Sequence, residues 1–375
     1  MYDRAKRYSN LKYGLSALSL LYTLVLLYLF IEFRISETLY SRLALSVPAG
    51  LILPLYLGLA FLAYSCLDFP LNFYRSYILE HKFSLSNQSI QDWGNDQFKS
   101  GAISYLISLI LIAAFYFILD QFPGTWWLVV SGFWVFFSVI IARIMPVLII
   151  PLFFKYKKIT DQALRERIMS LAERMKIKLL DCYEIDFSKK TLKANAAFVG
   201  IGRTRRVILA DTLKDNYSYG EIEVILAHEF AHYRLRHLLK LIMVNSISTL
   251  VIFYFIFKTS NFALEFFGFS SLSQIAALPV VLIYFLIFGI IMQPLEAFIS
   301  RSFERSADRI ALKETGMQEA FVSMMNKLAS QNLADRRPHP IIKFFFFDHP
   351  PIDERIGDGE RIGDGSLCSN HNLCK

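Results

Sequence analysis

The sequence predicts a polytopic α-helical membrane protein with about six transmembrane helices and a small cytosolic α+β segment set between them. Three observations lead there: an apolar composition, apolar runs of bilayer-spanning length, and basic residues gathered on one side of those runs. Of the 375 residues, 54% are hydrophobic and only 19% charged, too apolar for an ordinary soluble domain. The apolar runs fall at 13–33, 43–68, 101–120, 125–154, 239–258 and 275–300. Each reaches or exceeds the roughly 20 helical residues needed to cross about 30 Å of hydrocarbon. The first has no small-residue cleavage site after it and is followed by further spans, so it is expected to stay as an anchor.

The formal net charge of +8 follows this layout rather than a nucleic-acid surface. With the N-terminus inside, inner segments carry Arg4, Lys6, Arg7 and Lys12, then Arg75, Lys82 and Lys99, then a dense set from Lys155 to Arg236. Outer loops hold only Arg34, Arg42 and Lys258. This is the positive-inside pattern, which puts both termini and residues 155–238 in the cytosol. No basic patch with a nucleic-acid recognition fold stands out.

The expected organisation is a membrane region over 1–154, with four spans and a cytosolic connection at 69–100. A cytosolic segment at 155–238, two spans at 239–300, a second cytosolic segment at 301–356 and a flexible tail at 357–375 complete it. Cys66, Cys182, Cys368 and Cys374 are too few for a disulfide framework. Cys368, His371 and Cys374 are spaced like metal ligands, but three candidates in a Gly/Asn/Ser-rich end read as a mobile terminus. The tandem "ERIGDG" at 354–359 and 360–365 is too short for a solenoid and is assigned to that tail.

Within the cytosolic segments the elements follow from local pattern. Leu164, Ile168, Leu171 and Met175 recur at helical spacing and mark an amphipathic helix over 159–176. Short β-like runs at 179–187, 194–199 and 205–211, punctuated by Gly200 and Gly202, predict a small sheet. Ser218 followed three residues later by Glu221 is a capping box, opening a helix that contains His228 and continues toward the membrane.

That helix carries His228-Glu229-Phe230-Ala231-His232. Two imidazoles at i and i+4 share one helical face and can converge on one ion, while Glu229 is placed to take a proton from water. Zinc suits the task, because it brings the pKa of a bound water to about 7 and polarises a peptide carbonyl. A histidine ten residues beyond His228 would signal another class of zinc site, but that position is Leu238. An acidic third ligand is therefore expected, and "SFERSADRIALKETG" at 302–316 supplies Glu304, with Asp308 one turn on. Asp308 joins Glu229 in the expected catalytic set, as the carboxylate that fixes a ligating ring through its free N–H. His237 points away from the ligand face and is read as surface or interfacial. Arg143 and Glu296 lie in apolar runs, where a charge is a functional flag, with mutual pairing or headgroup contact as the plain explanation.

At these motifs the chain resembles the type I CAAX prenyl endopeptidases, integral-membrane zinc metalloproteases, with heat-shock membrane protease relatives behind them. The resemblance runs in order through "LDFPLNFYRSYILEHKFSLSNQS" at 67–89, "NAAFVGIGRTRRVILADTL" at 195–213, "HEFAH", "FERSAD" and "DHPPIDERI" at 348–356. It implies membrane helices ringing a water-filled chamber, with the metal site facing inward near the cytosolic side. It also implies that His228, His232 and Glu304 bind one zinc and that Glu229 is the general base. Asn195, Ala196, Ala197 and Phe198 would form the edge along which a substrate backbone lies, with His349 and Arg355 facing the site. Eukaryotic members show seven spans against six here, the difference falling at the first. With the shorter chain, that favours a bacterial cytoplasmic membrane over the endoplasmic reticulum. "FFFF" at 344–347 is core or bilayer contact, or else a lining for a lipid chain.

The expected function is a membrane-embedded zinc endopeptidase acting on a peptide or protein substrate, prenylated or membrane-inserted. The alternatives are a broad-specificity quality-control metalloprotease and, from another class, a multi-span transporter or channel with Arg143 and Glu296 along its path. Neither inverted repeats nor paired broken helices are visible to support the last.

Overall fold

The structure is a computed structural model that describes residues 2–199 and 205–363. Six of its helices are long and apolar enough to cross a membrane: Asp3–Glu32, Ala49–Lys82, Ile90–Gln121, Trp126–Leu152, His237–Phe267 and Ile275–Thr315. They match the expected runs in number and order, but their ends differ: Trp126–Leu152 lies inside its run, while the others extend past theirs at one end or both. The second run shows why: residues 43–46 belong instead to a separate short helix, α2 (Ile35–Ser46). Val47 is extended, as a residue before proline prefers, and Pro48 caps the new helix α3 (Ala49–Phe73). Ser36 ties this corner together through its buried hydroxyl, bonded to Tyr56 Oη at 2.7 Å and the Ala276 carbonyl at 2.5 Å.

The spanning helices present large apolar side chains outward. On α10 (His237–Phe267), Phe262 is 77% exposed and Ile247, Val251, Phe255 and Phe266 are exposed as well. A water-soluble protein does not tolerate such a surface, whereas lipid solvates it. Inside, Trp126 of α6 (Trp126–Ile144) meets Phe253 of α10 and Phe115 of α5 (Ile90–Gln121) edge-on, with all three rings buried.

The sheet lobe is built as the local patterns require, with one addition. Its four strands are β1 (Tyr156–Lys158), β2 (Asp181–Ile185), β3 (Ala196–Val199) and β4 (Arg206–Ala210), in the order β1-β2-β4-β3. Strand β1 was not expected; at three residues it is too short to show an alternation. β2 and β4 run parallel, and β3 lies antiparallel to β4 at the edge. Helix α7 (Gln162–Arg174) buries Leu164, Ile168 and Leu171, with Met175 just beyond its end, as the spacing predicts.

Two further helices, α8 (Asp211–Asn216) and α9 (Tyr219–Arg234), follow the sheet. The Ser218/Glu221 capping box opens α9, but α9 does not run into the membrane. It ends at Arg234, and Arg236, in the left-handed region at φ 55° and ψ 37°, starts α10 on a new axis.

The last span, α11 (Leu278–Thr315), instead runs straight through into the lobe, so the expected boundary at 300/301 falls inside one helix. The short α12 (Gln318–Gln331), α13 (Pro340–Phe346) and α14 (Ile352–Gly363) close the lobe. Helix α14 corrects the tail expectation: all of the first "ERIGDG" and the first four residues of the second are helical. An added Cβ at Gly359 would meet Phe321 at 2.8 Å, so the repeat's glycine permits the close contact of α14 with α12. Cys368, His371 and Cys374 lie outside the described residues.

The lobe docks on the helix ends through polar contacts. Lys193 Nζ reaches Glu80 at 2.7 Å, Lys190 Nζ reaches Asp96 at 2.5 Å, and Ser86 bridges to Thr191.

Candidate metal centre and active site

Helices α9 and α11 approach closely because their facing positions are alanines. Ala227, Ala231, Ala307 and Ala311 are all fully buried, and each sits beside or one turn from a functional residue. Small side chains let the two helices come near enough for His228, His232 and Glu304 to meet. His228 Nε2 lies 3.0 Å from His232 Nε2, and the Glu304 oxygens lie 3.2 Å from each ring nitrogen.

A tetrahedral ion with bonds of about 2.0 Å has ligand–ligand edges of about 3.3 Å, close to these separations. Glu304 Oε2 is buried with no hydrogen-bond partner, a costly state unless a cation satisfies it. Burial works against charge on the His228 imidazole, yet the hydrogen bond to Asp308 and the Glu304 carboxylate 3.2 Å away prevail and lift its pKa to about 10. The cage is electrostatically set for a cation, and a His/His/Glu donor set suits zinc.

The surrounding groups divide into supports and working groups. His228 Nδ1 donates to Asp308 Oδ1 at 2.9 Å. Arg355 in turn donates to both oxygens of Asp308, at 2.8 and 2.6 Å. Arg355 is buried and commits Nε and Nη2 to this pair, so it supports Asp308 rather than standing open to a substrate, which corrects its expected substrate-facing place. His349 does stand at the site, half-exposed, with Nε2 3.5 Å from Glu304 Oε1 and Nδ1 2.8 Å from Asp348. Burial opposes charge on it, but Asp348 and Glu304 outweigh burial and raise its pKa above the ordinary value. At Glu229, burial pushes the carboxyl pKa up, against the pull of His228 and His232.

His237 is the residue the linear pattern misplaced. It is buried, and its Nδ1 lies 2.9 Å from His232 Nδ1, because the turn at Arg236 swings it back toward the site. Asn195 precedes β3 and accepts from Ala210 N at 3.0 Å. Ala196, Ala197 and Phe198 lie along β3, whose outer edge carries no further strand among the described residues, and Phe198 packs on Phe230 and Tyr233 of α9. Arg143 and Glu296 form no ion pair with each other among the described residues. Glu296 instead lines a cavity of about 330 Å³ with Asn245, Gln293, Phe345, Phe346 and Asp348.

A bundle of membrane-length helices with an HExxH helix packed on a carboxylate-bearing helix defines a membrane-embedded metallopeptidase. The chain matches the model of peptidase family M48 over residues 158–361, and that of the CAAX prenyl protease N-terminal region, described as five membrane helices, over 1–155. It belongs to peptidase family M48 and is a CAAX prenyl protease-like metalloendopeptidase. It is 30% identical to CAAX prenyl protease 1 of Saccharomyces cerevisiae, over 80% of this chain and 70% of that one. To the uncharacterized metalloprotease YhfN of Bacillus subtilis it is 28% identical, over 95% and 84%. The crystal structure of Ste24p from S. mikatae superposes with a TM-score of 0.85 at 26% identity, covering 96% of this chain and 89% of that one.

Proposed function

We propose that the protein is a zinc endopeptidase that cleaves peptides anchored in the bilayer by a lipid, with its site on the cytosolic side of a bacterial membrane. The observation that carries the reading is the convergence of His228, His232 and Glu304 beside the half-buried Glu229. When bound, zinc supplies Lewis acidity that acidifies water and polarises the scissile carbonyl. Glu229 takes the proton from the attacking water and returns it to the leaving amine, and its raised pKa suits that shuttle. His349 donates to the oxyanion as it develops. Asp308 and Arg355 act through His228 and are positioning residues. The free edge of β3 from Asn195 to Phe198 binds the substrate backbone as an added strand.

The position of the site supports a lipid anchor. Helix α11 carries Glu304 about seven turns along from a start inside the membrane region, so anchor and peptide bond can be in lipid and water at once. The basic residues concentrated between Lys155 and Arg236 support the cytosolic orientation. The prenyl group is the anchor named for the yeast relative, and the bacterial relative is named only as a metalloprotease.

The test is cleavage of two otherwise identical CAAX-type peptides, farnesylated and not, by wild type and Glu229→Gln. The expected result is cleavage of the farnesylated peptide alone, with kcat about 10²- to 10⁴-fold lower in the variant and zinc retained. Equal cleavage of both peptides would move the function to general membrane proteolysis. Full activity in the variant would remove Glu229 as base.

A further inference from the structure

His232 is held from behind by a chain of hydrogen bonds whose protons can be followed atom by atom. The hydroxyl of Ser306 has one proton, and it goes to the Phe303 carbonyl at 2.7 Å. Its oxygen lies 3.3 Å from His237 Nε2 and therefore accepts, which places the His237 proton on Nε2. His237 Nδ1 is left with a lone pair, 2.9 Å from His232 Nδ1. Two ring nitrogens at that distance share one proton, so it resides on His232 Nδ1. His232 Nε2 is then bare, and it is the atom that faces His228 Nε2 at 3.0 Å and Glu304 Oε1 at 3.2 Å.

We propose that His237, five residues outside the HExxH motif, is a positioning residue that selects the Nε2-ligating tautomer of His232 and so sets the zinc affinity of the site. The proposal rests on the reading of His232 as a zinc ligand. Two structural features are devoted to the placement. In an unbroken helix His237 would stand about 140° around from His232. The left-handed Arg236 breaks that helix and turns the ring inward. Phe303 then stacks on the imidazole at 4.2 Å and 8°, which fixes its plane and excludes water from its face. Ligating histidines commonly rest on a carboxylate or carbonyl; a neutral imidazole serves here only if its own far nitrogen is protonated, and Ser306 ensures that.

The experiment is competition of the full, detergent-purified chain against a chromophoric chelator for zinc, with melting in excess chelator to show that each variant folds. His237→Leu keeps a stacking apolar group but offers no acceptor, and is expected to bind zinc about 10- to 100-fold more weakly. His237→Asn carries an acceptor oxygen near the position of Nδ1 and is expected to stay within about threefold of wild type. Ser306→Ala removes the acceptor without touching the stack and should weaken binding about two- to tenfold. Wild-type affinity in His237→Leu would overturn the proposal, and so would His237→Asn as weak as His237→Leu, which would leave packing as the whole effect. His232→Ala tells the two readings apart: wild-type affinity there would remove His232 as a ligand, and the proposal with it.

Discussion

His228 rests on a carboxylate that Arg355 clamps from behind, whereas His232 rests on a neutral imidazole backed by a hydroxyl. Both rings belong to one motif, four residues apart, and both present Nε2 to the same point. The charged support comes from α11 and α14, far along the chain, and the neutral one from the first residue of α10 and from α11. Charge-assisted hydrogen bonds are roughly twice as strong as neutral ones, so the two halves of one site should fail differently. The His228 half couples metal binding to the stability of the lobe, while the His232 half tunes affinity alone.

The comparison can be broken most severely at Asp308. Asp308→Ala leaves Arg355 buried without its partner and is expected to cost about 3–5 kcal/mol of folding stability, together with zinc. Denaturant unfolding in detergent, with metal content measured on the same samples, checks both. Unchanged stability would mean that the pair is solvated and the contrast between the halves is false.

Arg355→Lys keeps the charge but loses the fork, and zinc affinity should fall about 10- to 100-fold. Chelator competition measures it; an affinity like that of wild type would show that a point charge suffices. A smaller effect is expected at Gly359, which lets α14 bring Arg355 to Asp308. Gly359→Ala drives a Cβ into Phe321 and should destabilise by about 1–3 kcal/mol in a thermal melt, with a secondary loss of zinc. The smallest effect belongs to the neutral half, where Ser306→Ala should change affinity only about two- to tenfold and leave unfolding in excess chelator unaltered. An effect on apo stability there would make the halves alike.

Much of this architecture is written in local pattern. Span number and order follow from run length, because only a helix satisfies its own backbone in lipid. The capping box of α9 and the convergence of His228 with His232 follow from helical periodicity, and α7 from its apolar stripe. The pattern was weaker where no period operates. Three-residue β1 shows no alternation, and the Val47–Pro48 corner cut a run that looked continuous. The glycine-rich repeat of α14 reads as flexible, because what holds it is a contact with Phe321 about 40 residues away.

The sequence by itself determined the membrane class, the six apolar runs and the shared face of the two histidines, because each depends on run length or spacing within one helix, whereas the approach of Glu304 from α11 depends on how α9 and α11 pack. Only the tertiary structure decided that Arg355 serves Asp308 rather than a substrate, and that His237 turns inward. The first depends on a single contact between elements far apart in sequence, which has no period to announce it. The second depends on one backbone angle at Arg236, an arginine that any helix interior would also accept.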